Sequence, residues 1–188
     1  MGFAAFAFIL AVHFAGFYIR GALGFGSNMP IVLLTAWVLG PHQAILLVAL
    51  TSGLAQIHLL PQGFRHMDWS IARILAFGMM AGIGFGVWVF AGIEPDWLVM
   101  LLGALIIGIL LMDRFRLIER LQTSIDLRSP ILAGVLATIS GTVGTISGGG
   151  GLYFLVFYLK LVCATLEILR STNVFLAGAF MLFRLTLL

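Results

Sequence analysis

The stretch GALGFGSNMP, Gly21–Pro30, stands between two of the most apolar runs in the chain. It holds three glycines, a serine, an asparagine and a proline, residues that break helices and carry polar atoms. It has an echo. GALGFGSNMPIVLL resembles TISGGGGLYFLVF, Thr145–Phe157, with Gly24 and Gly26 falling on Gly149 and Gly151. An apolar helix precedes each copy and a short apolar run follows it. A further long span comes next, polar near its start: Thr51 and Ser52 in one half, Ser171, Thr172 and Asn173 in the other. Weak internal symmetry of this kind is the mark of transporter repeats. An odd number of crossings in the first half inverts the second.

The rest of the chain says what surrounds these breaks. Of 188 residues, 62% are hydrophobic and 9% charged, and the mean hydropathy is +1.16. A soluble domain carries roughly 25% charge, so this composition predicts an all-α integral membrane protein in the lipid bilayer. The net charge of +3 comes from scattered or loop residues with no basic face, which argues against nucleic acid. A single cysteine, Cys163, excludes an intrachain disulfide and a cysteine metal cluster. No pattern calls for a metal or other cofactor. The N-terminal run lacks a basic leader and is too long for a signal peptide. Phe6 stands where myristoylation wants Ser or Thr.

A crossing helix needs about 20 residues. Long candidates are Gly2–Ile19, Gln43–Leu60, Ile71–Ile93, Trp97–Met112, Pro130–Ile146 and Cys163–Leu188. Met29–Leu39 and Leu152–Leu159 are too short to span and follow the glycine segments directly. They read as half-helices or re-entrant segments, tolerated only where protein or a watery cavity covers the broken backbone. The stretches around residues 65–73 and 114–128 are basic, whereas GIEPDW between them holds Glu94 and Asp96 and no basic residue. The positive-inside rule places both basic loops in the cytoplasm. If both short segments cross, the N-terminus lies outside and Arg20 and Lys160 face the cytoplasm. The expected organisation is a first transmembrane repeat over 1–113, a cytoplasmic loop over 114–129, and a second repeat over 130–188. By symmetry the second repeat lacks the partners of Ile71–Ile93 and Trp97–Met112, about 50 residues. A short form that dimerises is the other possibility, so a homo-oligomer stays open.

Glycine has two uses in such a chain. Gly78, Gly82 and Gly86 form a GxxxGxxxG face for close helix packing. Gly21–Asn28 and Ser147–Gly151 are irregular and mixed with Ser27, Asn28, Thr142, Thr145 and Ser147. Four consecutive glycines are poor helix formers, each costing about 1 kcal/mol against alanine. A broken backbone frees N–H groups, and a half-helix beginning there turns its positive dipole end to the break. That makes a site for a small anion. Nucleotide fingerprints are absent.

Among ionisable residues, Glu167 and Arg170 lie three apart and can pair on a helix, or Arg170 can face an anion. Arg184 lies deeper in the same run with its role open. His13, mid-span, is a proton-carrier candidate, against the commoner case of a histidine bonded to a neighbouring carbonyl.

The motifs RGALGFGSNMPIV, LGPHQA, RHMDW, GTVGTISGGGG and LRST, in that order over nearly the whole chain, resemble the sulfite exporter TauE/SafE family of membrane permeases. The resemblance implies secondary transport of sulfite, sulfonates or related anions across the bacterial inner membrane. Two departures fall in the glycine segments: Ser27 and Asn28 follow GFG, and Gly148–Gly151 stand where relatives often have GGPP. The expected binding set is Gly24, Gly26, Ser27, Asn28, Thr51, Thr145, Ser147, Gly149, Gly151, Arg170, Thr172 and Asn173, with His13 for proton coupling. A membrane scaffold whose glycines only pack helices is the alternative. An intramembrane enzyme or channel lacks a catalytic constellation or a continuous polar stripe.

Overall fold

Backbone in lipid has no water to bond, so it closes its hydrogen bonds within helices. The computed structural model describes residues 2–23, 28–114, 129–149 and 151–187, and no strand occurs among them. Eight helices follow one another: α1 (Phe3–Leu23), α2 (Asn28–Leu39), α3 (Pro41–His66), α4 (Trp69–Gly92), α5 (Pro95–Arg114), α6 (Pro130–Ile146), α7 (Leu152–Val162) and α8 (Leu166–Leu187). The basic loop expected over 114–129 lies almost wholly outside the described residues. The chain is a polytopic helical membrane protein. Its outer surface agrees: Phe3 and Trp37 are each 88% exposed and Ile131 78%, side chains that only lipid would surround.

Four helices are long and apolar enough to cross a bilayer: Phe3–Gly21, Pro41–Pro61, Trp69–Gly92 and Leu166–Leu187. The expected span Trp97–Met112 lies within α5, which is 20 residues long, and the expected Pro130–Ile146 has the bounds of α6. Ser147 and the glycines stop it at 17 residues, about 26 Å at 1.5 Å each. The two short runs fold as helices of 12 and 11 residues, each directly after its glycine segment. Gly40, at φ 82°, turns the chain between α2 and α3, and Pro41 opens α3. Asp68 caps α4 by accepting from the Ser70 and Ile71 N–H groups at 2.9 and 3.3 Å.

Two pairings organise the bundle. The GxxxGxxxG face of α4 lies along α6, and the helices run parallel: Gly78 meets Gly134 and Ala137, Gly82 meets Thr138, and Gly86 meets Thr142 and Thr145. A Cβ at Gly78 would stand 2.6 Å from the Gly134 carbonyl oxygen. Thr142 Oγ1 donates across the seam towards the Gly82 carbonyl at 3.0 Å. In the second pairing, Gly53 packs on Leu185, Leu60 on Gly178, and Gly63 on Ser171 and Phe175. α3 and α8 are therefore antiparallel, and they are the helices the repeat equates, as inversion requires. Both pairings join one repeat to the other. The larger core cluster carries Leu75, Met79 and Ile83 of α4 against Leu155 and Leu159 of α7 and Leu176 and Phe180 of α8. A second cluster joins α2, α3 and α5 through Ile31, Ile45 and Leu98.

Candidate functional site

The second break is built by glycine. Gly148 and Gly149 adopt φ of 72° and 115°, a region closed to most side chains. Gly149 N–H donates to the Gly144 carbonyl at 2.6 Å, and Leu152 N–H to the Gly149 carbonyl at 3.2 Å. The backbone thus folds over the end of α6 before α7 begins. Gly151 rests on the α6 backbone at the Ser140 carbonyl and the Gly144 amide, leaving no room for a Cβ. Ser147 is buried, and its Oγ donates to the Val143 carbonyl at 2.6 Å.

Against this fold lies the end of the first break. A Cβ at Gly149 would stand 2.7 Å from Asn28 Nδ2 and 3.4 Å from Met181 Cε. A Cβ at Gly148 would stand 2.7 Å from Val32 Cγ2. The first turn of α2 and the glycine fold between α6 and α7 are in contact. Asn28 is oriented by its neighbours. Its Oδ1 accepts from Ser52 Oγ at 3.0 Å and from Arg20 Nη1 at 3.4 Å. A guanidinium only donates, so the carbonyl end of the amide faces Arg20 and Ser52, and the NH2 end faces Gly149. The break is therefore met by a hydrogen-bond donor.

α8 closes this region. Met181 reaches Gly149, and Leu185 packs on Gly53, the residue after Ser52. Arg184, three residues beyond Met181 and adjacent to Leu185, is held at the same level of the bundle. It has no exposed surface. Gln56, one turn after Ser52 on the same face of α3, is also buried, with no partner for Oε1 among the described residues.

The expected binding residues divide. Asn28, Ser147, Gly149 and Gly151 come together at the meeting of the breaks. Gly24, Gly26 and Ser27 lie outside the described residues. Thr51 turns away, its Oγ1 donating to its own helix at Leu47 and Val48. Ser52, 100° further round the helix, makes the contact with Asn28. Thr145 belongs to the α4–α6 seam: its Cβ faces Gly86 and its Oγ1 donates to the Gly141 carbonyl at 2.8 Å.

Thr172, Asn173 and Arg170 sit at the other end of α8, since Thr172 is twelve residues, about 18 Å, from Arg184. There Thr172 Oγ1 accepts the Asp68 N–H at 3.2 Å, and Arg170 is exposed. Glu167 pairs not with Arg170 but with His66, at 3.3 Å. His13 is buried on α1, and Nδ1–H donates to the Ile9 carbonyl at 2.9 Å, leaving Nε2 without a partner among the described residues.

The expected binding set left out Ser52, Gln56 and Arg184, the last named in the sequence with its role open. One signal for Arg184 was available. Arg170 has Glu167 a turn away, whereas positions three and four from Arg184 are Phe180, Met181, Leu187 and Leu188. An arginine in an apolar run with no acid on its helix face has to find its counter-charge elsewhere.

A helical membrane protein in which the first turn of α2 meets the glycine fold between α6 and α7 at buried polar groups fits the architecture of a permease. Residues 8–188 match the sequence profile described as Sulfite exporter TauE/SafE, and the chain belongs to that family, a family of membrane transporters. Comparison with curated proteins and with solved structures finds no match.

Proposed function

We propose that the protein is a secondary permease that carries a small sulfur-containing anion, sulfite or a sulfonate, across the bacterial inner membrane. The observation that carries this reading is the contact between Asn28 and Gly149, which joins the two breaks at a hydrogen-bond donor. Ser52, Ser147 and the glycine backbone supply the remaining polar surface. The first turns of α2 and α7 bring positive dipole ends to the same place, favourable to an anion. These groups are buried from both faces, so passage requires the packing around them to open alternately to each side, the motion expected of paired repeats.

The test is flux. The full chain reconstituted in proteoliposomes is expected to move radiolabelled sulfite or a short alkylsulfonate, with Asn28→Ala strongly impaired. Wild-type vesicles that pass none of these anions faster than empty liposomes would overturn the permease reading.

A further inference from the structure

Among the described residues, Arg184 is a buried charged group without a partner. Its side chain is 0% exposed, and Nε, Nη1 and Nη2 all lack a hydrogen-bond partner among the described residues. Guanidinium groups remain charged in proteins. A buried charge without a partner is strongly destabilising, and intramembrane arginines otherwise find acids or backbone carbonyls. The carboxylates whose side chains the structure describes, Asp68, Glu94, Asp96 and Glu167, give Arg184 no hydrogen bond. Asp68 caps α4, Glu94 lies in the turn before α5, and Asp96 is in the first turn of α5. Glu167 is on His66, about 26 Å along α8 from Arg184. Arg184 lies on the turn of α8 from which Met181 reaches Gly149 and Leu185 packs on Gly53.

We propose that Arg184 is the resident cation of the transport site, and that its missing partner is the transported anion. This rests on the permease reading and deepens it by naming the charge and the ligand class. The guanidinium fork offers parallel N–H groups spaced for two oxygens of one ligand. The favoured ligand is an oxyanion with at least two oxygens on one centre, such as sulfite or a sulfonate, over a spherical halide. The empty protein therefore stores an uncompensated charge that ligand binding relieves.

The test uses the full chain in detergent and follows thermal unfolding with sodium sulfite, sodium methanesulfonate and sodium chloride at matched ionic strength. Wild-type protein is expected to be stabilised by the two oxyanions and far less by chloride. Arg184→Met should unfold at the same or a higher temperature than wild type without ligand, since removing a buried unpaired charge costs nothing. It should also bind oxyanions at least about tenfold more weakly, the lower end expected for a lost charge-assisted hydrogen bond. Arg184→Lys keeps the charge and loses the fork, so it should narrow the preference for oxyanions over chloride.

Two outcomes overturn the assignment alone: an Arg184→Met protein that still responds to sulfite with wild-type affinity, or one that is destabilised when empty while its ligand response survives. The second would mark Arg184 as a packing residue. Should Arg184→Met fail to fold, an Arg184→Lys protein with unchanged affinity and unchanged selectivity overturns it equally. Wild-type protein that responds to no anion and supports no flux removes the permease reading and this one with it.

Discussion

Glycine does two different jobs in this molecule, in two regions that share α6. Along the α4–α6 seam, glycines at four-residue spacing stay helical and let two backbones touch, with Gly82 against the Thr138 carbonyl and Gly141 against Met79. At the end of the same helix, Gly148 and Gly149 leave the helix with positive φ and turn the chain over Asn28. The seam shows small size in use, and the break shows conformational freedom. The packing-only reading accounts for the first region. It gives no reason for Arg184 to be buried without a partner among the described residues, or for the buried Gln56 Oε1 to lack one.

Substitutions separate the two roles. The largest effect is expected at the seam. Gly82→Leu forces a side chain into the Thr138 backbone and should cost more than about 3 kcal/mol, the upper end of overpacking. Loss of monodisperse folded protein in detergent would show it, and a normally folded Gly82→Leu protein would break the seam half of the comparison. Gly149→Ala comes next. A Cβ at φ 115° costs about 1–2 kcal/mol and pushes on Asn28 Nδ2. The protein should fold, unfold a few degrees lower, and lose at least about tenfold in sulfite flux. Unimpaired flux would reduce the break to packing. The smallest effect is expected at the His66–Glu167 pair, whose side chains are 54% and 70% exposed. Exposed ion pairs contribute about 0–1 kcal/mol, so His66→Ala should leave stability and flux within experimental scatter. A clear loss of flux would extend the functional region to the corner where Thr172 meets Asp68.

Much of the fold was legible in sequence because it rests on periodicity and length. The apolar runs, the two half-helices, the packing face at Gly78–Gly86 and the inverted relation of α3 to α8 all follow from local pattern and repeat. The bounds read for Pro130–Ile146 are those of α6, since the glycines that mark the break also end the helix. The site was legible only at the breaks. Thr51 and Ser52 differ by one position, and which of them faces Asn28 depends on helix rotation, set by Leu185 on Gly53 far along the chain. Thr172 and Asn173 match Thr51 and Ser52 in the repeat, yet Thr172 meets Asp68 at the start of α4 rather than the glycine fold. The sequence shows that Arg184 has no acid on its own helix face, but the lack of a partner from the other described helices is visible only once the neighbours are in place.

The seam also has a consequence for how the protein is made. Thr142 and Gly82, which bond across it, are 60 residues apart in the chain. At a synthesis rate of about 5–20 residues per second, α4 waits in the bilayer for roughly 3–12 seconds before the matching face of α6 has been translated. During that interval its row of glycines is bare to lipid and open to any other helix with small residues. The order of translation, rather than the final packing energy, sets the moment at which this chain is most easily mispaired.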